Sequence, residues 1–322
     1  MTNLLPSLLP SLQNPAAFPE HQFSPQEEAA ESYHDAVEGG RMAMRESRTV
    51  ICGLARNVAA HLPRTIARIE RLGHLFADYR VLIYENDSTD ATPDLLKSWA
   101  HRNRRVTVIS QRRGKQLYGS IRCPHRGDDM AEYRNLCQRE VRSRWSDFDH
   151  ACLLDMDLAG GFSYDGIAHS FGSQPWDVVG SYGIIYRRQK RQPDLALHYD
   201  VWAFRRFGSY AEVDGHEGNL FAWRRGEALL PVYSCFGGLA IYRMPAWLSA
   251  QYAGGDCEHI GLHREMRDRG YDRQYLNPSQ IVLYGRKSRR LDRALLAINR
   301  VVEATAALCM LGWYQRSVCS VS

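Results

Sequence analysis

The chain has 322 residues, of which 44% are hydrophobic and 24% charged, a composition typical of a globular protein. This length fits one large domain or two small ones with a sizeable core. The formal net charge of +5 is modest, and basic residues alternate with acidic ones, which excludes a clustered nucleic-acid footprint and favours a small anionic substrate.

The amino terminus and the cysteine pattern both indicate a reducing compartment. Prolines at positions 6, 10, 15 and 19 predict a disordered arm over residues 1–47, without the charged start and unbroken apolar run of a secretion signal. We therefore expect a cytoplasmic protein. The eight cysteines form no CxxC pair and several lie in apolar runs, so we interpret them as reduced core residues, not as a zinc site or disulfide framework.

From residue 48 the pattern alternates between strands and helices. Strands are predicted over 48–55 (RTVICGLA), 80–84 (RVLIY) and 106–110 (VTVIS), with helices between them at 57–76 and 93–102. This βαβαβ order predicts an α/β fold, a mostly parallel, Rossmann-like sheet flanked by helices in a single domain.

The remainder of the chain continues in the same style. A basic loop is followed by a predicted helix at 130–145 and by the apolar run ACLL, and later elements are predicted as strands at 176–183 and 232–243 and a helix at 256–270. Gly270 provides the stop signal of that helix.

The segment IYENDSTDATP, after the second strand, carries many short oxygen-bearing side chains. Thr92 and Pro93 fit a helix N-cap and first helical residue. Capping leaves Glu85, Asn86 and Asp87 unexplained. Because ligands bind beyond the carboxyl ends of strands in open α/β sheets, a ligand site is favoured over a simple turn.

A second strand ends in acids at Asp155-Met156-Asp157. Residues two apart on an extended strand point to the same face, so both carboxylates are expected to converge on one divalent cation. Such oxygen ligands suit Mn²⁺ or Mg²⁺, which commonly bridge carboxylates and substrate phosphates. A lone DxD also occurs by chance in surface loops, but its position after a buried strand favours a metal site.

The order of these motifs resembles a known family. IYENDSTDAT, MAEYRN and LLDMDL together resemble the donor-sugar domain of GT-A glycosyltransferases, and YDVWAFR, SCFGGLAIYR and CEHIGLH are similar to the fungal capsule-associated α-1,3-mannosyltransferases and their bacterial relatives. The resemblance implies a GT-A catalytic domain over 48–285, divided into a nucleotide-sugar half, 48–158, and an acceptor half, 159–285.

The resemblance also implies roles for donor-side residues. Glu85 and Asp87 would contact the base or ribose, and the diphosphate or donor sugar would meet Arg134 and Asn135. The residues assigned to the donor are Arg56, Glu85, Asp87, Arg134, Asn135 and Asp155, the last of these also holding the metal with Asp157. The commoner pattern has two consecutive Asp where this chain has Glu85-Asn86, so the base stays open between GDP and UDP. Without this motif, Arg134 and Asn135 would be interpreted as ordinary residues on the solvent-exposed face of a helix.

The segment CEHIGLH combines an acid with two histidines. His259 and His263 are spaced i, i+4 and share a helix face. Two helical histidines are as often packing residues, but the resemblance favours His263 as a third metal ligand or diphosphate contact. It also favours Glu258 as a site acid, although a one-residue shift leaves Glu258 and His259 as alternatives for the catalytic position.

The acceptor side is expected in YDVWAFR and SCFGGLAIYR. Tyr199 and Trp202 are either core aromatics or sugar contacts, and Asp200, amid apolar neighbours, needs a partner. We group Asp200 with Glu258 as a catalytic candidate. Gly237 and Gly238 either permit close backbone approach to a ligand or mark a bulge.

The resemblance implies a metal-dependent transfer of a hexose, with mannose expected, from a GDP- or UDP-sugar to a glycan or lipid-linked acceptor. Inversion would need a base, for which Glu258 is the choice, whereas retention, which the resemblance favours, would leave Glu258 to position substrate. A nucleotidyltransferase acting on a sugar phosphate and a non-catalytic sugar-binding protein stay as alternatives. The single glycine of GLARNVAAHLP argues against the first and the full set of acids against the second.

The carboxyl terminus, residues 286–322, combines a basic run with an apolar helix. Arg300 and Glu303 interrupt the apolar stretch, so a membrane span is not expected. The helix is expected either to lie on the inner face of an anionic membrane or to dock on the core of the protein itself.

Overall fold

The computed structural model describes residues 14–118, 122–189 and 194–287. The chain divides into a main unit, Met1–Ile185 with Leu197–Gly285, and a smaller unit, Tyr186–Ala196 with Arg286–Ser322. The candidate site belongs to the main unit. The helix expected near the carboxyl terminus lies outside the described residues. Within those ranges, no helix combines the length and apolarity needed to cross a membrane.

From residue 48 to residue 155 strands and helices alternate along the chain, as the sequence predicts. The strands are β1 (Arg48–Ala55), β2 (Asp78–Asn86), β3 (Val106–Gln111), β4 (His150–Asp155), β5 (Gly161–Phe162), β6 (Val178–Arg187), β7 (Leu195–His198), β8 (Arg205–Arg206), β9 (Leu230–Ser234), β10 (Leu239–Arg243) and β11 (Gln274–Lys287). The helices are α1 (Ala30–Glu46), α2 (Leu62–Gly73), α3 (Thr92–Arg102), α4 (Pro124–Arg144), α5 (Tyr164–Gly172), α6 (Gly215–Asn219), α7 (Met244–Ser249) and α8 (Glu258–Asp268).

One large sheet organises the fold, in the order β3-β2-β1-β4-β10-β6-β11-β9-β8. The first four strands of this order pair in parallel, and β10 then joins β4 in the antiparallel direction. The antiparallel direction continues from β10 to β6 and from β11 to β9. The predicted α/β class, a large sheet flanked by helices, is confirmed, but the predicted parallel pairing does not extend to β10, which is antiparallel to both of its neighbours.

A hydrophobic core cluster packs α4, α7 and α8 against one face of the sheet. Its fully buried members include Val50 of β1, Leu82 of β2 and Val141 of α4, joined by Trp247 of α7 and Leu262 of α8. Burying side chains of this size contributes about 1.5–3 kcal/mol each. The packing fixes α4 and the start of α8 beside the carboxyl end of β4.

The described part of the amino-terminal arm contains helix α1, where disorder was predicted. Helix α1 buries Tyr33, Val37, Gly40 and Met44, at helical spacing. A Cβ atom at Gly40 would lie 1.7 Å from the carbonyl oxygen of Ala168, so α1 packs backbone to backbone against α5. The prediction of disorder over 1–47 is therefore wrong for this helix, because its apolar stripe was hidden among charged residues.

Two other elements differ from their predictions. The segment 232–243 is not one strand, because the chain turns between β9 and β10 with Gly237 and Gly238 at φ values of 65° and 86°. Helix α4 begins at Pro124, before the predicted start at residue 130, since a proline at the first helical position is a good start signal.

Candidate active site at the carboxyl end of β4

The register of the parallel strands brings the two acidic strand ends to one edge of the sheet. Leu54 of β1 pairs with Tyr84 of β2 on one side and with Asp155 of β4 on the other. Ala55 pairs with Glu85. The expectation that both acidic segments meet at one edge is thus realised in the structure.

Asp155 and Asp157 each accept a hydrogen bond from a tyrosine. The Tyr199 hydroxyl donates to Oδ2 of Asp155 over 3.4 Å, and the Tyr284 hydroxyl donates to Oδ2 of Asp157 over 2.6 Å. Strand β4 ends at Asp155, so Asp157 lies in the following turn and strand alternation is not what brings the two together. Burial, followed by the charge of Asp157, raises the pKa of Asp155 well above its usual value.

Asp200 is a third acid of the same cluster. It has a left-handed backbone conformation, with φ of 68°, and its Oδ2 accepts the backbone N–H of Gly237 over 3.1 Å. Burial and then the charge of Glu258 raise the pKa of Asp200 to about 7. Within the described part of the chain, Oδ1 of Asp200 has no hydrogen-bond partner.

The turn at Gly237 and Gly238 joins two of these acids. A Cβ atom at Gly237 would lie 2.0 Å from the carbonyl oxygen of Ser181, and the carbonyl of Gly238 accepts the backbone N–H of Asp155 over 2.9 Å. The glycines therefore permit close approach of the protein's own strands around Asp155 and Asp200. Their predicted contact with an acceptor stays a prediction.

A buried ion pair completes the cluster. Nε of Arg134, on α4, donates to Oε1 of Glu258 at the start of α8 over 2.7 Å, and the two side chains are only 7% and 6% exposed. The guanidinium lies over the Phe236 ring, 5.0 Å from its centroid. Arg134 also offsets part of the negative charge around Asp155. The structure thus brings together Arg134 and Glu258, two residues predicted for the site.

The histidine pair of α8 lies in the protein interior. Nδ1 of His263 bonds to the Ser234 hydroxyl and its Nε2 to the Tyr242 hydroxyl, each over 2.9 Å. His259 stacks on Phe236 with ring centroids 4.1 Å apart. Burial lowers the pKa of His263 to about 3, and that of His259 also falls well below its usual value. Both ring nitrogens of His263 are hydrogen-bonded in this arrangement, so its predicted role as a third metal ligand would require one of these bonds to break and stays a prediction.

At the end of β2, Glu85 serves the local fold. It is 2% exposed, and its two oxygens accept hydrogen bonds from the Ser88 backbone N–H, over 2.9 Å, and from the Ser110 hydroxyl. Both oxygens of Glu85 therefore have a partner within the local fold. The donor role predicted for Glu85 stays a prediction.

Asp87 and Arg56 organise the basic loop that follows β3. Asp87 accepts three backbone N–H groups of residues 113–115 over 2.7 to 3.2 Å, and Arg56 donates to the carbonyl of Lys115 over 2.7 Å. Burial alone would raise the pKa of Asp87, but hydrogen bonds from Asn86 and this loop hold it below its usual value. The two residues share a loop beside the strand ends, and their donor contacts stay predictions.

Two further predicted contact residues have mainly structural partners. The Asn135 side-chain amide makes two hydrogen bonds to the backbone of Tyr252. It donates to the carbonyl over 2.9 Å and accepts from the N–H over 3.0 Å. Asn135 therefore ties the loop before α8 to α4, and its predicted contact with the donor stays a prediction. Trp202 is 9% exposed and carries the Arg126 guanidinium over its ring at 4.9 Å.

The sequence predictions missed Tyr284 and Arg126. Tyr284 lies on β11, which was not predicted, although the apolar run IVLY was a signal for a strand. Arg126 lies in the first turn of α4, which was assigned to a loop, and its charge acts on Asp200.

The residues present fit a divalent cation bound by two carboxylates. Across the described ranges, no three His, Cys, Asp or Glu side chains are arranged to hold a metal ion by themselves. The charge of Asp157 nevertheless opposes the ionisation of Asp155, which a bound cation would relieve. Mg²⁺-type sites commonly use one or two carboxylates and complete their shell with water and substrate phosphates.

Comparison with known proteins gives one family match and several distant structural likenesses. The sequence profile of Glycosyl transferase family 2 matches residues 51–123, the segment from β1 to the start of α4, which is less than half of the chain. No curated protein sequence matches this chain.

The solved structures that resemble this chain are distant. The mannosyltransferase PcManGT from Pyrobaculum calidifontis, in complex with GDP-Man and Mn²⁺, is 14% identical with a TM-score of 0.46, over 80% of this chain and 68% of that one. Glucosyl-3-phosphoglycerate synthase from Mycobacterium tuberculosis, with Mn²⁺, UDP and glucosyl-3-phosphoglycerate, is 17% identical with a TM-score of 0.45, over 84% and 82%. TM-scores below 0.5 transfer neither a substrate nor a residue role to this chain.

Proposed function

We propose that this protein is a metal-dependent glycosyltransferase that moves a hexose from a nucleotide-diphosphate sugar to a glycan or lipid-linked acceptor. The observation that carries the proposal is the acid cluster of Asp155, Asp157, Asp200 and Glu258, with Arg134 among them, at the carboxyl end of β4. The family match over 51–123 supports the same reading for the donor half.

In this proposal Asp155 and Asp157 hold Mn²⁺ or Mg²⁺. When bound, the cation supplies Lewis-acid stabilisation of the charge that develops on the leaving diphosphate. Arg134 lies close enough to Asp155 to balance the remaining negative charge, and its own ion pair with Glu258 keeps it in place. Glu258 is then the partner that orients Arg134.

We assign the acceptor proton to Asp200 in preference to Glu258. Oε1 of Glu258 is committed to Arg134, whereas Oδ1 of Asp200 is free of hydrogen-bond partners in the described structure. A pKa of about 7 suits a general base at neutral pH. A base at this position implies inversion of the anomeric configuration, in contrast to the retention that the family resemblance implies, and NMR of the product distinguishes the two.

Mannose is the sugar that we propose first, because the second-half motifs resemble mannosyltransferases. The direct test incubates the purified protein with Mn²⁺ and a panel of GDP- and UDP-hexoses and measures donor hydrolysis. We expect hydrolysis of one donor class, and its loss in Asp157→Ala, because that variant removes a metal ligand. Asp94→Ala is the matched control, since Asp94 lies in the first turn of α3 outside the cluster.

Three outcomes would contradict the proposal. Release of pyrophosphate from a nucleoside triphosphate with a sugar phosphate would identify a nucleotidyltransferase. Donor binding without turnover would indicate a sugar-binding protein. Metal-dependent activity that survives in Asp157→Ala would exclude the assigned metal site.

A further inference from the structure

Tyr199 and Tyr284 form a stacked pair directly beside the two metal-site carboxylates. Their ring centroids are 4.1 Å apart with an interplanar angle of 13°. The pair joins two distant parts of the chain, because Tyr199 precedes the catalytic candidate Asp200 and Tyr284 comes from β11. Stacked rings of this kind stabilise each other by about 0.5–1.5 kcal/mol beyond burial.

Each hydroxyl of the pair is bonded to one carboxylate. Tyr284 donates to Asp157 over 2.6 Å, a short bond to an anion, and Tyr199 donates to Asp155 over 3.4 Å, which is long. Both bonds use the Oδ2 atoms. Among the described residues, neither Oδ1 atom has a hydrogen-bond partner, so one oxygen of each carboxylate stays free.

The two tyrosine hydrogen bonds counteract the repulsion between the carboxylates of Asp155 and Asp157. Two neighbouring carboxylates repel each other and tend to rotate apart or to take up a proton. A hydrogen bond on one oxygen of each fixes its rotation, and the stacked rings fix the spacing between the two donors. Outer hydrogen-bond partners of this type orient metal ligands and tune metal affinity.

We infer that Tyr284, with Tyr199 stacked on it, is a positioning residue that holds Asp157 and Asp155 with their free Oδ1 atoms ready for a divalent cation. The inference rests on the proposed metal site. Because the Tyr284 bond is short and the Tyr199 bond is long, Tyr284 contributes more to metal affinity than Tyr199.

The test measures binding of Mn²⁺ alone to the full-length protein, by the loss of the electron paramagnetic resonance signal of free Mn²⁺. Tyr284→Phe keeps the stacked ring and removes only the hydroxyl, and we expect Mn²⁺ affinity to fall roughly 10-fold. Tyr199→Phe should lower it by a smaller factor. Tyr164→Phe is the matched control, because it also removes a tyrosine hydroxyl. That hydroxyl lies outside the cluster and donates to the backbone carbonyl of Ala16 over 2.8 Å.

The outcomes separate this inference from the proposed function. If the wild type binds Mn²⁺, Asp157→Ala does not, and Tyr284→Phe binds as tightly as the wild type, then the metal site stands and the inference is wrong. If Tyr164→Phe loses as much Mn²⁺ affinity as Tyr284→Phe, the loss reflects general destabilisation of the protein, and the inference is also wrong. If the wild type and Asp157→Ala bind Mn²⁺ equally, or neither binds, the metal site itself fails and the inference falls with it.

Discussion

Acid should destabilise this protein through its buried histidines, and His198 is the clearest case. His198 is 1% exposed and packs among aromatic rings that include Tyr182, Phe204 and Trp223. Burial lowers its pKa from 6.5 to about 4, although a backbone contact with Gly183 acts in the opposite direction. The replacement His198→Phe removes the titrating group and keeps an aromatic ring in the cluster.

The magnitude follows from proton linkage. Because the pKa of His198 is lower in the folded state, the unfolded chain binds more protons between pH 6.5 and pH 4. The unfolding free energy therefore decreases as the pH is lowered through this window. Above pH 6.5 the contribution is fully retained. At pH 5 the loss is about 2 kcal/mol for this one group, a sizeable part of a typical unfolding free energy of about 5–15 kcal/mol.

Urea unfolding at pH 7.5 and pH 5 measures this loss. For His198→Phe we expect the difference in unfolding free energy between the two pH values to shrink by about 2 kcal/mol relative to the wild type. Phe221→Leu is the matched control, because it alters the same aromatic cluster without removing a titrating group and should shift stability equally at both pH values. The same pH difference in His198→Phe and wild type would refute the reasoning. Acid sensitivity should persist in the variant, since burial also lowers the pKa of His150 and His169 to about 4.

Three other substitutions test the site and the amino-terminal segment. Asp200→Asn should lower transfer by roughly two to four orders of magnitude with donor binding intact, because it removes the proposed base, whereas Glu258→Gln should mainly weaken substrate binding; the reverse pattern in kcat and KM would exchange the two roles. Glu20→Ala should destabilise the protein by roughly 3–5 kcal/mol in urea unfolding, because it leaves Arg225, 3% exposed and 2.7 Å from Glu20, without its ion-pair partner; an unchanged midpoint would mean that the segment before α1 does not support the fold.

The first half of the fold could be predicted from the sequence because its central strands β1, β2 and β4 are buried on both faces. Apolar runs bounded by polar ends predicted β1, β2 and β3 to within two residues, and the acids at strand ends predicted that Glu85 and Asp155 share an edge. In this region the local sequence pattern of each strand agrees with the parallel sheet that the strands form. The strands could therefore be predicted without knowledge of contacts between distant residues.

The second half was less readable because polar residues are buried there. Strand β11 contains Asn277, Ser279 and Gln280, all at most 1% exposed, which resemble a loop in sequence. Their partners are distant in the chain; for example, the Gln280 amide donates to the Ser181 hydroxyl over 2.9 Å. No local sequence pattern reveals such pairing. Because β11 was not predicted, Tyr284 on this strand was not predicted as a site residue either. Similarly, only the folded structure shows that His263 and Asn135 are occupied by core contacts.

The hydrogen bond from the Asp155 backbone N–H to the carbonyl of Gly238 has a consequence for folding order. It joins residues roughly eighty positions apart, and it accompanies the pairing of β10 with β4. Contacts of such sequence separation form slowly, because a long loop must close before they stabilise anything. The segment 51–123 that matches the family profile therefore leaves the ribosome long before the residues of the acid cluster, and the cluster assembles only when synthesis has passed Glu258 at the start of α8.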